Sequence, residues 1–262
     1  MWRTYRGLMT VSWREAMAFR AGLVVYLLGS VFPFAMMGVW LTVTRQTDPA
    51  GLDTGYFISY YTAAAIVNQL TSVWVIATWD DEIRTGQLST RLLRPRDPVH
   101  HFLCQEACRR ALAGAIGIVA LIVVQVAVPD FGHPRSIGAA ALAVLSVLAA
   151  FALNFLMQCV FGMLAFWLTM VRRVYGVWSG IGFFLSGWVA PLDTLPDGVR
   201  LIAELSPFAA TLATPVHALT GTISAAESLR LLGVAAIWIV ILLALYRALW
   251  FAGLRRFDAA GS

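Results

Sequence analysis

The chain has 262 residues, 60% of them hydrophobic and 13% charged, with a mean hydropathy of +0.76 and a formal net charge of +5. A soluble domain of this length can bury a core without so few charges, and several charge-free windows reach the length of about 20 residues that crosses roughly 30 Å of hydrocarbon. The composition therefore excludes an ordinary soluble domain, and apolar runs that are continuous rather than alternating exclude a membrane β-barrel.

All 19 basic residues are arginine. Without lysine there is no phosphate-binding loop ending in Gly-Lys-Ser/Thr, no Schiff base and no Ser-x-x-Lys nucleophile. If ATP drives this protein, another chain must bind it, and no cofactor is expected here. Cys104, Cys108 and Cys159 all fall outside the segments expected on the outer side, so free thiols are expected rather than a disulfide framework.

Residues 1–20 read as an amphipathic helix, with Trp2, Tyr5, Met9, Trp13 and Ala16 at spacings of three and four and Arg3 and Arg14 off that face. Such a pattern suits a helix lying in the membrane interface. The basic start and following apolar run are like a signal peptide, but the run is too long for one and lacks a small-x-small cleavage site, so it is expected to be retained. The first span is placed at 21–44, with Pro33 as a kink, and the second at 56–78. Residues 79–98 have no apolar run of their own and carry four arginines and four acids. A helical lead-in, 100–110, feeds the third span at 111–128.

The run 137–170 would be about 50 Å long as a helix at 1.5 Å per residue. It is therefore tilted, projecting or broken near Gly162. A short fifth span is placed at 174–190, an interrupted outer segment at 191–227, and a sixth span at 229–251. The expected fold is an all-α polytopic membrane protein with six transmembrane helices. With both termini cytoplasmic, fifteen arginines lie inside and four outside, a strong orientation signal that puts 79–110 in the cytoplasm. Gly86 and the Arg94-Pro95 pair bracket a helix of about two turns, too short to stand alone. Leu88 and Leu92 share one face of it, a pattern for docking in a groove; a loop whose arginines meet lipid headgroups is the alternative.

Asn68, Gln69, Asn154 and Gln158 are polar residues within spans, as is Gln125. Each is most simply helix–helix glue, and the adjacent pair Asn68-Gln69 is the best candidate for lining a pathway. No carboxylate falls at mid-membrane depth, which argues against proton coupling. Gly176 and Gly180 have the spacing of close helix packing, within the chain or against a second one. Trp178, Phe183, Phe184 and Trp188 read as core or belt, with an aromatic-lined cavity for amphipathic or cationic molecules as the alternative. His100, Cys104 and Cys108 share a helical face but lack a fixed fourth metal ligand, so no metal is expected.

The segment Glu82-Ile-Arg-Thr-Gly-Gln-Leu-Ser-Thr-Arg-Leu-Leu-Arg-Pro95 closely resembles a recurring segment of ABC-2-type exporter permeases, the membrane subunits of ATP-binding-cassette transporters. Leu205-Ser-Pro-Phe208, with Pro215, Gly221 and Glu227 after it, resembles that family's segment dipping into the membrane from outside. The resemblance implies a cytoplasmic coupling helix between spans two and three. It implies ATPase contacts at Glu82, Arg84, Gly86, Leu88 and Leu92, and a re-entrant segment containing Pro207, Phe208 and Pro215. It also implies a multi-pass protein of the bacterial inner membrane that exports a lipid, peptide or amphipathic toxic compound. Its partners would be cytoplasmic ATPase subunits holding ATP and magnesium, and a second permease chain. The coupling segment is nearest to a branch that pairs two different permeases. A membrane-embedded enzyme and an ion-coupled secondary transporter are the rival readings.

Overall fold

Long uncharged runs leave the backbone few partners but itself, and every regular element among the described residues is helical. The computed structural model describes residues 2–18, 31–45, 52–93, 97–127 and 131–260. Its α-helices in chain order are α1 (Trp2–Ala18), α2 (Val31–Thr44), α3 (Thr54–Thr71), α4 (Ile76–Arg84), α5 (Leu88–Leu92) and α6 (Val99–Ala127). They continue with α7 (Ile137–Met163), α8 (Val171–Leu185), α9 (Asp197–Leu205), α10 (Ala213–Thr220) and α11 (Ala225–Ala260).

The axis of the fold is α7. Ser136 caps it, its hydroxyl accepting from Ala139 N at 3.1 Å, and α3, α4, α8, α10 and α11 all pack on it. Among the described residues, two helical stretches are long and apolar enough to cross a bilayer, the 30 residues Ile137–Phe166 and the 33 residues Ala225–Phe257. The 137–170 run is not one helix: α7 ends at Met163, a 3-10 turn follows at Leu164–Phe166, and α8 begins at Val171. Pro33 is buried in the first turn of the described part of α2, while the side chain of Gln125 lies outside the described residues.

The continuous second span expected at 56–78 is not what forms. The helix stops at Thr71 and restarts at Ile76, and what fills the gap is a side chain near the C-terminal end of a neighbouring helix. Gln158 of α7 points its amide into the gap. Its Oε1 accepts from Val75 N at 2.9 Å and Ile76 N at 3.1 Å, and its Nε2 donates to Val73 O. A buried helix break leaves amide and carbonyl groups without partners, and one glutamine with both a donor and acceptors satisfies three of them.

Beyond the break, α4 carries Trp79, fully buried, into the main core. The indole meets Phe102 of α6 edge-on at 4.7 Å and Trp250 of α11 at 5.7 Å. It lies on Gly162 of α7, where an added Cβ would come within 2.7 Å of the Trp79 Cβ. The stretch 79–98 is thus less separate than its charge suggests. Gly86, at φ +76°, makes the turn from α4 to α5 that a side chain would strain. Ile83 and Leu88 then point inward with Trp79, and Leu92 packs against the same cluster.

Replacing Gln158 with Leu leaves the Val75 and Ile76 amides buried without acceptors, at a cost of about 1–3 kcal/mol for each orphaned group. The variant is expected to unfold at a clearly lower temperature in detergent. An unchanged melting curve would show that the break is held by something other than this amide.

Candidate functional site: a cavity beside a broken helix

The break opens a space. Between the α3–α4 junction, α7 and α8 lies a cavity of about 680 Å³, within the range of small-molecule sites. One face of α8 runs along it at helical spacing, Arg172, Tyr175, Trp178, Gly182, Phe183 and Ser186. Opposite stand Asn68, Ser72, Trp74 and Ala77, with Asn154, Met157 and Gln158 of α7 between; Trp188, Phe208, Thr211 and Leu212 close the far end.

Three of the polar span residues, Asn68, Asn154 and Gln158, therefore meet in one place. Gln69 does not: it is absent from the cavity wall, and its backbone carbonyl accepts from Arg110 Nη1 of α6 at 3.2 Å. Arg110 in turn pairs with buried Glu106. Asn68 accepts from Ser72 Oγ at 2.9 Å, which keeps its amide at the cavity edge. Of the aromatic set on α8 and just beyond, Trp178, Phe183 and Trp188 line the cavity, whereas Phe184 is exposed on the opposite face of α8.

Arg172 belongs to two structures at once. It lines the cavity, and its guanidinium also holds α4: Nε donates to Asp80 at 3.0 Å, while Nη2 reaches Asp81 and the Ala77 carbonyl. Arg84 answers from α4, donating to Thr169 O just before α8 and lying 4.0 Å from Asp80. Glu82 is buried and pairs with Arg91 of α5 at 2.6 Å, and Arg91 also sits 4.9 Å over the Phe102 ring. A cluster of acids beside arginines suits a solvated ion-pair face. Asp80 and Glu82 are instead buried, each under an arginine.

The ATP-binding-cassette type 2 family, described as ABC-2 family transporter proteins, matches residues 31–261. The chain belongs to this family. No curated protein matches it. It is a membrane permease of the ABC transporter class, so the residues carried over from the family segment can be placed on the permease one by one. Leu88 is 0% exposed and Leu92 is half-buried on the same core. The α4–α5 turn needs an apolar anchor, and Leu88 supplies it from within the chain's own core, while Leu92 packs against the same cluster with part of its side chain exposed. Arg84 and Glu82 are taken up by Thr169, Asp80 and Arg91. What α5 presents outward is Gln87, Ser89, Thr90 and Leu93, the last 88% exposed. Arg94 and Pro95, expected to end that helix, lie outside the described residues.

Gly176 and Gly180 of the permease face open space, with nothing within 4 Å of an added Cβ. The packing glycine is Gly182, where a Cβ would fall 2.6 Å from the Phe208 ring. Phe208 and its neighbours Pro207 and Pro215 are buried in the chain's own interior. The segment around them folds back as a 3-10 turn at Ala209–Thr211 and α10, lying against α7 and α3.

At that end of the permease, sequence reasoning missed a polar cluster. Tyr56 donates to Asp193 at 2.6 Å, Arg200 bridges Asp193 at 3.0 Å and Glu204 at 2.8 Å, and Arg230 joins Glu204 to Glu227. Buried His217 of α10 lies 3.6 Å from Asp193 through Nε2 and 2.9 Å from Thr222 Oγ1 through Nδ1. The spacings Arg200/Glu204 and Glu227/Arg230 carried a local signal; Asp193 and His217 carried none. Cys104 and Cys108 of α6 are buried free thiols, Cys108 against the Met9 carbonyl of α1 at 3.7 Å, and no group of three metal-ligating side chains gathers among the described residues.

Gly182→Ala is expected to displace Phe208 and lower the melting temperature of the detergent-purified chain, while Gly176→Ala and Gly180→Ala leave it unchanged or raise it slightly. Burial holds the His217 imidazole below its ordinary range against the opposing pull of Asp193. The folded chain therefore favours the neutral ring. That stability is present above the ordinary histidine value near 6.5 and is lost as pH falls below it, because the unfolded chain takes up the proton first. Melting temperature should fall between pH 7 and 5, and His217→Gln should flatten that slope; an equally steep slope in the variant would remove His217 from the account.

Proposed function

We propose that this permease is the membrane subunit of an ATP-driven exporter of the inner membrane, crossing it six times with both termini in the cytoplasm. The arginine asymmetry supports the orientation. ATP and magnesium are held by separate cytoplasmic ATPase subunits, since this chain lacks the lysine of a phosphate-binding loop. The cavity beside the broken helix is part of the export path for a lipid, peptide or amphipathic toxic compound.

One observation carries the reading: α4 is at once the wall of the cavity and the root of the exposed turn at 85–93. Ile76 and Ala77 line the cavity at its start, and Thr85, Gln87 and Leu93 are exposed beyond its end. A force applied to that turn is delivered to the cavity wall within three helical turns. The ATPase contact is made by the outward side of the turn, with Gly86 shaping it and Glu82, Arg84, Leu88 and Leu92 fixing it to the permease.

The second permease chain meets the outward face of α8. Val174, Val177, Ile181 and Phe184 are exposed there beside Gly176 and Gly180, and small residues of this kind let helices approach closely in lipid. The branch that the coupling segment resembles favours a different second permease over a copy of this one. The segment 191–227, with Pro207, Phe208 and Pro215, forms the outer closure and dips into the membrane between spans five and six.

Leu93→Asp is expected to abolish co-purification of the ATPase subunit without changing the melting temperature of the permease, whereas Leu88→Asp lowers that temperature by burying a charge. Retention of the ATPase by Leu93→Asp would place the contact elsewhere.

A further inference from the structure

Both ends of the stretch 79–98 rest on one turn of α11. At its start Trp79 meets the Trp250 ring at 5.7 Å, and Trp250 stacks on Tyr246, one turn earlier, at 6.3 Å with 18° between the rings. At its far end lies Asp97. Its Oδ1 accepts from the Val99 amide at 3.0 Å and from the Tyr246 hydroxyl at 3.0 Å, and Arg247 Nη1 donates to its Oδ2 at 3.3 Å. One carboxylate thus caps α6 and ties it to α11. The start of a helix leaves amides in want of acceptors, which accounts for the bond from Val99. Capping requires neither Tyr246 nor Arg247.

The opposite end of α11 holds what closes the cavity. Arg230 pairs with Glu204 of α9. Trp238 Nε1 donates at 2.9 Å to the carbonyl of Leu205, the last residue of α9, one of those that a helix end leaves bare. From there the chain runs through Ser206 and Pro207 to Phe208 and Thr211, which stand at the far end of the cavity. Between the two grips α11 is unbroken, 36 residues from Ala225 to Ala260 without a proline. Positions 230 and 247 are about 25 Å apart along a helix at 1.5 Å per residue. Sharp bends need a proline, a π-bulge or an inserted group, so a displacement at one grip is carried to the other. The route through α4 stops at the cavity wall. Helix α11 passes that wall and reaches the far closure.

We propose that α11 is a connecting rod that carries movement of the turn at 85–93 to the closure around Phe208. Tyr246 and Arg247 are its grip on Asp97, and Arg230 and Trp238 are its grip on α9; all four are positioning residues. Rigid elements held at both ends are the kind of structure that carries coupling over such distances. The proposal rests on reading that turn as the ATPase contact, and the test separates the two.

The full chain with its co-purifying ATPase is placed in nanodiscs with acrylodan attached at Leu201→Cys, an exposed position of α9; the native cysteines are buried. Trapping with ATP, magnesium and orthovanadate should shift the acrylodan emission. Tyr246→Phe with Arg247→Gln frees Asp97 from α11 and keeps both the α6 cap and the ring stack on Trp250. This pair should remove at least about half of the shift while ATP hydrolysis stays within about twofold. Trp238→Phe with Arg230→Gln should do the same at the other grip. All four substitutions together should remove no more than the larger of the two losses, because two breaks in one rod are not independent. Losses that add, a full shift in either pair variant, or no shift in the labelled chain although ATP is hydrolysed would each overturn the rod and leave the exporter reading standing. A chain that purifies with no ATPase overturns both.

Discussion

The amide of Gln158 decides the shape of this permease. Residues 56–78, which hold most of α3 and the start of α4, are one apolar stretch in the sequence, and nothing in its composition requires it to part. It parts because the neighbouring helix offers a donor and two acceptor lone pairs at the depth of residues 73–76, and those satisfy the amides and carbonyl that a broken helix leaves bare. Everything beyond the break, from α4 onward to the turn at Gly86, inherits its direction from that substitution of a side chain for backbone. Trp79 reaches the junction of α6, α7 and α11, the turn at Gly86 is placed, and a void is left where a straight helix would have filled the space.

Charge is used differently at the two ends. Near the break, arginines from α5 and α8 cover acids of α4, so that Asp80 and Glu82 sit buried without being unpaired. Removing one partner from such a pair is costly because it strands the other, even where the pair itself contributes little. At the other end, Arg200 and Arg230 string Asp193, Glu204 and Glu227 together across three separate elements. Those acids and arginines are partly exposed, and the cluster acts more as a set of positional restraints on the segment 191–227 than as a source of stability.

What could be read in advance follows from which interactions are local. Helical class depends on runs and periodicity, which are visible residue by residue, and the end of α7 at Met163 falls where one of the three readings of the long run put a break. That Asn68, Asn154 and Gln158 are exceptional was legible too, because polar side chains in apolar stretches stand out. Which of them would face one another was not, since it depends on helix rotation, and Gln69 fell on the other side of α3. Leu88 shows the same limit. An apolar residue in a short charged helix fits a partner's groove and the chain's own core equally well, and only the packing around Trp79 separates the two. The Asp193–His217 contact joins residues 24 positions apart through a folded-back segment, and no spacing rule reaches that far.

Arg172 has a consequence that reaches beyond its ion pairs. Its guanidinium is shared between the wall of a cavity and the helix that leads to the exposed turn. Whatever shifts the position of α4 alters the donors offered to the cavity, and whatever engages those donors alters the hold on α4. Thermodynamic reciprocity makes the two influences equal in free energy. In the exporter proposed above, a single side chain would couple cargo occupancy and nucleotide state in both directions, with no separate sensor required.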